Sequence, residues 1–341
     1  MPDQLEPGAH IEEISVRTQR IDPARTSVTA LLGSCGRGPA NEPVAVQSVA
    51  ELDQAYGEVR GSSLRRAARD FFANGGRRAL TLRVTDEAAA FANLAEHEWQ
   101  LLVVDPGVVD LAAASALCLQ QGAFLVCDTA SDGALPAGLG ANAAAYFPPF
   151  ASRDRSRPCA PAVAGVFARI DAARGVWKAP AGTEATLSRI PSRELTSQEI
   201  TELSARHVNA LRTLPTVGAV IWGARTASDD PEWKYVPVRR LVLFLERSIE
   251  QGLQWAVFEP NDEPLWAVVR MAVHDFLFGL WRQGAFVGTK AEDGYFVRCD
   301  RSTMTQADID DGRLVVLIGV APLKPAEFVT FRIQTQARAS D

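Results

Sequence analysis

Three groups of residues in this 341-residue chain have the types and spacing from which chemistry could start. Gly33, Ser34, Cys35, Gly36, Arg37 and Gly38 follow an apolar run at 28–32, and glycines after a strand let backbone N–H groups approach a phosphate. No Gly-Lys-Ser/Thr and no G-x-G-x-x-G is present, and Pro39-Ala40-Asn41-Glu42-Pro43 interrupts the helix whose N-terminus would hold the anion. Cys299, beside Asp300 and Arg301, is the best thiol candidate, with His207 or His274 as base. His274 lies in a densely apolar run and reads as a core residue, and Cys35, Cys118 and Cys127 read as small core fillers. Asp308-Ile309-Asp310-Asp311-Gly312 lacks the alternate spacing and closing Glu of a calcium loop and reads as a solvated helix end. His10, His97, His207 and His274 show no metal-binding spacing. The expectation is a protein without catalytic residues, cofactor or metal. The rival is a cytosolic α/β enzyme with its site at strand ends near the 33–38 loop or at Asp105-Pro106-Gly107.

A second kind of chemistry is ionic. Arg239, Arg240, Arg270, Arg282 and Lys290 are interleaved with a stretch otherwise devoted to large apolar residues. They read either as intrachain ion pairs or as charges reserved for a partner.

Length and composition bound what can position these groups. A chain of this size with 47% hydrophobic residues suits about two domains with real cores. A net charge of −6 argues against coating nucleic acid, which needs a basic field to displace phosphate counterions. Five widely spaced cysteines without a Cys-x-x-Cys read as reduced thiols of a protein made in the cytoplasm. No signal peptide and no membrane-spanning run is apparent, so neither secretion by a signal peptide nor membrane insertion is expected.

Along the chain, 1–24 carries Pro2, Pro7, Gly8 and Pro23 around a short stretch at 11–16 and reads as an extended arm. From 25 to about 190, strands at 28–32, 79–84, 101–104, 124–126 and 143–147 alternate with helices near 49–55, 64–72 and 110–121, the pattern of an at least partly parallel sheet. A second domain, 191–341, begins with a helix at 197–205 and a strand at 219–222. Val238, Leu241, Val242, Leu245 and Ile249 then trace an apolar stripe at helical spacing. Between Glu263 and Gln283 apolar residues cover most of the circumference, which predicts a helix buried on more than one side, capped by Asn261 or Asp262. Thr303 with Gln306 fits a capping box for a short helix ending at Gly312. The closing segment 326–338 alternates, with Val329, Phe331 and Ile333 on one face, as expected of a strand with an unpaired edge. The fold class is therefore mixed α/β (α+β) in two domains plus terminal arms.

Several of these words together resemble contractile tail sheath proteins. They are Pro7-Gly8-Ala9-His10-Ile11-Glu12-Glu13-Ile14 near the start, Val163-Ala164-Gly165-Val166-Phe167-Ala168-Arg169 and Gly175-Val176-Trp177-Lys178-Ala179-Pro180 in the middle, and Trp233-Lys234-Tyr235-Val236, Phe258-Glu259-Pro260-Asn261-Asp262 and Pro325-Ala326-Glu327-Phe328-Val329 towards the end. This family surrounds the tube of phage tails, tailocins and extracellular contractile injection systems. The resemblance implies a subunit that polymerises as stacked hexameric rings and contracts. It implies strands exchanged between neighbours, carried here by Ile11, Glu12, Ile14 and Val16 and by Val329, Phe331 and Ile333. It implies an inner tube protein as partner, for which Arg270, Arg282 and Lys290 are the candidate contacts, together with baseplate and tail terminator proteins and assembly in the bacterial cytoplasm. The chain leaves little room for the outward-facing inserted domain of larger sheaths.

Overall fold

The computed structural model describes residues 19–152 and 157–327. The first part of the chain runs β1 (Thr29–Gly33), β2 (Val44–Val46), α1 (Val49–Tyr56), α2 (Ser63–Ala73), β3 (Ala79–Arg83), α3 (Glu87–Ala95), β4 (Leu101–Val104), α4 (Leu111–Gln120), β5 (Phe124–Asp128), β6 (Ala143–Phe147), α5 (Ala160–Arg174), α6 (Ser197–Ala205), β7 (Val208–Leu214) and β8 (Gly218–Trp222). The eight strands form one sheet in the order β2-β3-β1-β4-β5-β6-β7-β8. Pairing is parallel from β3 through β7 and antiparallel at both edges. The chain had been expected to divide at residue 190, but β7 is hydrogen-bonded in register to β6 and carries the sheet past that point. The reason is that β6 would otherwise be an open edge of wholly buried residues, which β7 and β8 cover.

Both faces of the sheet are packed, so its strands read as continuous apolar runs rather than alternating ones. Leu31, Val103, Phe124, Val126, Ala144 and Tyr146 point to α2 and α5, while Ala30, Leu32, Leu102, Leu125 and Cys127 point to α3 and α4. Helix α5 escapes periodicity because it is buried nearly all round, from Ala160 through Ala168. Gly165 allows its close approach to α2, since a Cβ there would lie 2.3 Å from the Phe71 carbonyl oxygen.

The second part comprises α7 (Val236–Gly252), a 3-10 turn at Gln254–Ala256, α8 (Glu263–Arg282), α9 (Ala291–Gly294), β9 (Tyr295–Arg298), α10 (Gln306–Asp310) and β10 (Leu317–Val320). Asp262 caps α8 by accepting from the Leu265 N–H. At α10 the capping box belongs to Thr305 and Asp308, not to Thr303 and Gln306. The Thr303 hydroxyl is already engaged in the turn with Asp300 and the Val315 carbonyl, so it cannot cap.

Helix α7 lies against the sheet through three arginines. Arg240 donates to both carboxylate oxygens of Asp171 on α5, at 3.0 and 2.6 Å, and to the Thr26 carbonyl just before β1. Arg247 donates to the carbonyls of Trp99 and Gln121, ahead of β4 and β5, and Arg239 to the Asn142 side chain, ahead of β6. The helix is thus tied to the N-terminal ends of four parallel strands. The Arg240 and Asp171 side chains are each 3% exposed, so removing one partner strands a buried charge. Arg240→Ala is expected to cost about 3–5 kcal/mol in urea-induced unfolding. The double change Arg240→Met with Asp171→Leu removes both charges and is expected to cost clearly less than the single one.

Candidate functional site

The places where sequence raised the prospect of catalysis or metal binding are filled by the fold itself. Strand order reverses around β1, whose two neighbours are β3 and β4, and in sheets of this kind ligands bind beyond the strand end at such a point. Here the 33–38 loop is plugged. The Ser63 hydroxyl accepts from the Ser34 N–H, the Ser62 hydroxyl donates to the Ser34 carbonyl, and the same Ser62 oxygen caps α2 through Arg65 N. Gly38, at φ 88°, turns directly under the Tyr56 ring, where a Cβ would lie 2.4 Å away. Asp105 spends its side chain on the Gly107 N–H.

The buried thiols are chemically quiet. Burial pushes those of Cys118, Cys127, Cys159 and Cys299 up, keeping them neutral. Cys159 opens α5 without a side-chain cap of its own, and Asp128 at the end of β5 replaces it, accepting from the N–H groups of Cys159 at 2.6 Å and Ala160 at 3.3 Å. Burial pushes the Asp128 carboxyl up, while these donors oppose the shift. His274 is not the core residue expected. It stands outward on α8, stacked against Phe278, and His207 Nε2 lies 3.1 Å from Asp229, so neither faces Cys299 as a base. No group of three or more metal-ligating side chains occurs among the described residues.

What the second part offers instead is surface. Strands β9 and β10 form an antiparallel pair, with Leu317 opposite Arg298 and Val320 opposite Tyr295. Tyr295, Val297, Ile318 and Val320 pack on α8, and Phe296 and Leu317 are turned outward. Both edges of this two-stranded sheet are unpaired among the described residues. Such a pair is marginal by itself and exposes two rows of N–H and C=O groups.

Helix α8 is buried on one side only, through Leu265, Val269, Ala272, Val273, Phe276, Leu277 and Leu280. Its outer face carries Arg270, Met271, His274, Asp275, Phe278 and Arg282 at helical spacing, against the expectation of burial on more than one side. The turn before it presents Val257 and Phe258, the latter fully exposed at φ 73°. Of the five basic residues singled out in sequence, Arg239 and Arg240 are consumed in docking α7, and Arg270 donates to the Cys299 carbonyl. Arg282 and Lys290 are exposed and form no ion pair among the described residues.

The expected exchange residues Ile11, Glu12, Ile14, Val16, Val329, Phe331 and Ile333 lie outside the described residues, as does most of the expected strand 326–338. Their roots, however, are on the page. Ile21 is buried against α7, and the Ala24 N–H donates to the Ser248 hydroxyl at 3.0 Å. At the other end Glu327 receives Nε and Nη2 of Arg225 at 2.7 Å each and the Tyr235 hydroxyl at 3.2 Å, with Lys234 Nζ at 3.8 Å. Arg225 holds the Glu327 carboxyl below its ordinary range. This cluster was missed in sequence because Glu327 lies 102 positions from Arg225 and 92 from Tyr235, and no local spacing connects them.

A phage tail sheath C-terminal domain model matches residues 228–336. A chain of the anti-feeding prophage (AFP) helical sheath in its contracted state superposes with a TM-score of 0.83 at 31% identity, covering 98% of this chain and 100% of that one. A chain of the six-fold symmetrised AFP baseplate superposes with a TM-score of 0.82 at 31% identity, covering 98% and 100%. The tail sheath protein of Enterobacteria phage T4 is 25% identical over 198 residues, 54% of this chain and 28% of that relative. The alignments span less than half the length of the sheath proteins matched by sequence alone. Across nearly its whole length, in sequence and in fold, this chain is similar to sheath subunits, and it belongs to the contractile tail sheath family.

Proposed function

We propose that copies of this chain stack as hexameric rings around an inner tube and contract to drive that tube through a target envelope. The observation that carries this reading is the β9–β10 sheet, seated on α8 with both edges unpaired among the described residues, in a chain whose described residues begin and end beside α7. A terminal segment from each of two neighbours would complete the sheet as added strands, satisfying main-chain groups that a monomer leaves bare. Ile11, Glu12, Ile14 and Val16, and Val329, Phe331 and Ile333, are the proposed exchanged residues. The six-fold symmetry of the AFP baseplate supports rings of six, and the contracted AFP sheath supports contraction. Baseplate association follows from the same likeness; an inner tube and a terminator complete the proposed partners. The unpaired thiols suit assembly in the bacterial cytoplasm.

The proposed division of labour places the large sheet outside, as scaffold, and the unit from about 228 onward as the part that assembles, in keeping with the span of the matching family model. The outward face of α8 and the turn near Lys290 are the proposed tube contacts, through Arg270, Arg282 and Lys290. Charged contacts at an exposed rim set registry and on-rate more than affinity, which suits a tube that must be released.

Deleting residues 1–18 leaves Ile21 and every core cluster in place, so circular dichroism is expected to match the full chain while electron microscopy finds no ordered tubes. Ordered contractile sheaths from the truncated chain would sink strand exchange. Arg282→Glu and Lys290→Glu are expected to leave folding unchanged, to weaken co-sedimentation with the tube protein, and to alter its dependence on salt, since exposed charge contacts are screened over about 8–10 Å at physiological ionic strength. Co-sedimentation equal to the unmodified chain at every salt concentration would remove both residues from the tube face.

A further inference from the structure

The two roots of the terminal segments do not attach at random places on the body: both attach to α7, at opposite ends. Ile21 packs against Gly252, the last residue of the helix, so closely that a Cβ there would lie 2.7 Å from Ile21 Cγ1 and Cγ2. Next to it the Ala24 N–H is held by Ser248, whose hydroxyl in turn donates to the Phe244 carbonyl one turn back. At the other end Tyr235 is the N-cap residue of α7, and Tyr235, Lys234 and Arg225 converge on Glu327. The backbones there are also joined, by Thr226 N to the Lys234 carbonyl and Val236 N to the Ala224 carbonyl, both at 2.9 Å, and Arg225 Nη1 reaches the Ser204 carbonyl. Seventeen helical residues separate the two attachments, a rod of about 25 Å at 1.5 Å per residue. Between its ends the rod is fastened sideways to the sheet by Arg239, Arg240 and Arg247.

We infer that α7 is a strut that carries tension from one terminal arm to the other, with Gly252–Ile21 and Glu327–Arg225 as its two pins. This rests on the reading that the arms join neighbouring copies. A pull on the N-terminal arm enters at Ile21 and Ala24, runs along the helix axis and leaves through the Glu327 carboxylate into the C-terminal arm. A bidentate guanidinium–carboxylate pair suits the second pin, because two parallel charge-assisted bonds resist both stretching and rotation. With the strut fastened along its length, displacement of one neighbour is handed to the next copy instead of being absorbed by deformation of the body. Glu327 and Gly252 are thus positioning residues: they act through the arms and touch no tube.

The test uses particles produced with the full chain and its own tube and baseplate. Gly252→Ala keeps a helix-compatible residue but displaces Ile21; Glu327→Gln keeps the shape but removes the charge from the second pin; Glu250→Ala, exposed on the same helix, is the control. Expected are unchanged circular dichroism and extended sheaths of ordinary pitch for all three, and, after triggering, a severalfold loss of particles contracted along their full length for the two pin variants, with contraction arrested part-way. Full contraction of both pin variants in the same proportion as the control would overturn the strut. So would folded pin variants that form no extended sheath, because the pins would then serve assembly and not transmission. Removal of residues 1–18 separates the two ideas. If that deletion still yields contractile sheaths, arm exchange fails; if it abolishes sheaths while both pin variants contract normally, only the strut fails.

Discussion

The architecture depends on one buried ion pair. Arg240 and Asp171 bring two charges into an interior where each alone would be strongly disfavoured, and the pair persists because the guanidinium is met by both carboxylate oxygens, by the Thr26 carbonyl and by the face of the Phe167 ring 4.8 Å from its central carbon. A lysine could not replace that arginine, since a single ammonium cannot serve a planar carboxylate and a carbonyl in the same fork. From this contact follow the position of α7, then of α8 packed on it through Phe244 and Phe276, then of the small sheet seated on α8. An apolar contact of equal area would hold the helix, but it would leave its rotation and register less defined.

A doubly packed, mostly parallel sheet is a scaffold on which many activities are built, and fold alone says nothing of which. Here the decisive observation is what occupies the strand ends. Ser62, Ser63 and Tyr56 fill the reversal point beside β1, and Asp128 at the end of β5 is committed to the N-terminus of α5. Groups that could have faced a ligand face the protein. Among the described residues the unpaired main chain lies elsewhere, along β9 and β10.

Much of the sheet was legible because strands buried on both faces leave compact apolar runs between turn residues, as at Leu101–Val104 and Phe124–Asp128. Glycine marked the end of α2, with Asn74 as its cap and Gly75 at φ 106°. Helix α5 was not legible as a helix, because burial all round erases the period that amphipathic helices display. Strand β7 was missed since Asn209 and Arg212 interrupt its apolar run; Asn209 is there to bond the carbonyls of Ala145 and Arg225. The outer face of α8 failed for a deeper reason. Met271 and Phe278 are chemically the same as core residues, and hydrophobicity cannot distinguish a face that meets its own body from one that meets another molecule. Family words marked both stretches that carry Tyr235 and Glu327, but the convergence of Arg225, Tyr235 and Glu327 needed coordinates.

On the proposed strand exchange, the β9–β10 pair, whose edges are both unpaired among the described residues, would give each copy a valence of two. Copies joined through such edges satisfy one another everywhere except at the boundary of the stack, where the outermost ring always retains unfilled edges, as the terminal repeats of a solenoid do. Growth therefore has no internal stop. In such a stack a finite length would have to be imposed from outside, by a surface that either supplies a matching strand or covers the bare edge, and a first ring would need a base that does the same from below. Free copies face the converse hazard, because the feature that lets them join in order also lets them join out of order.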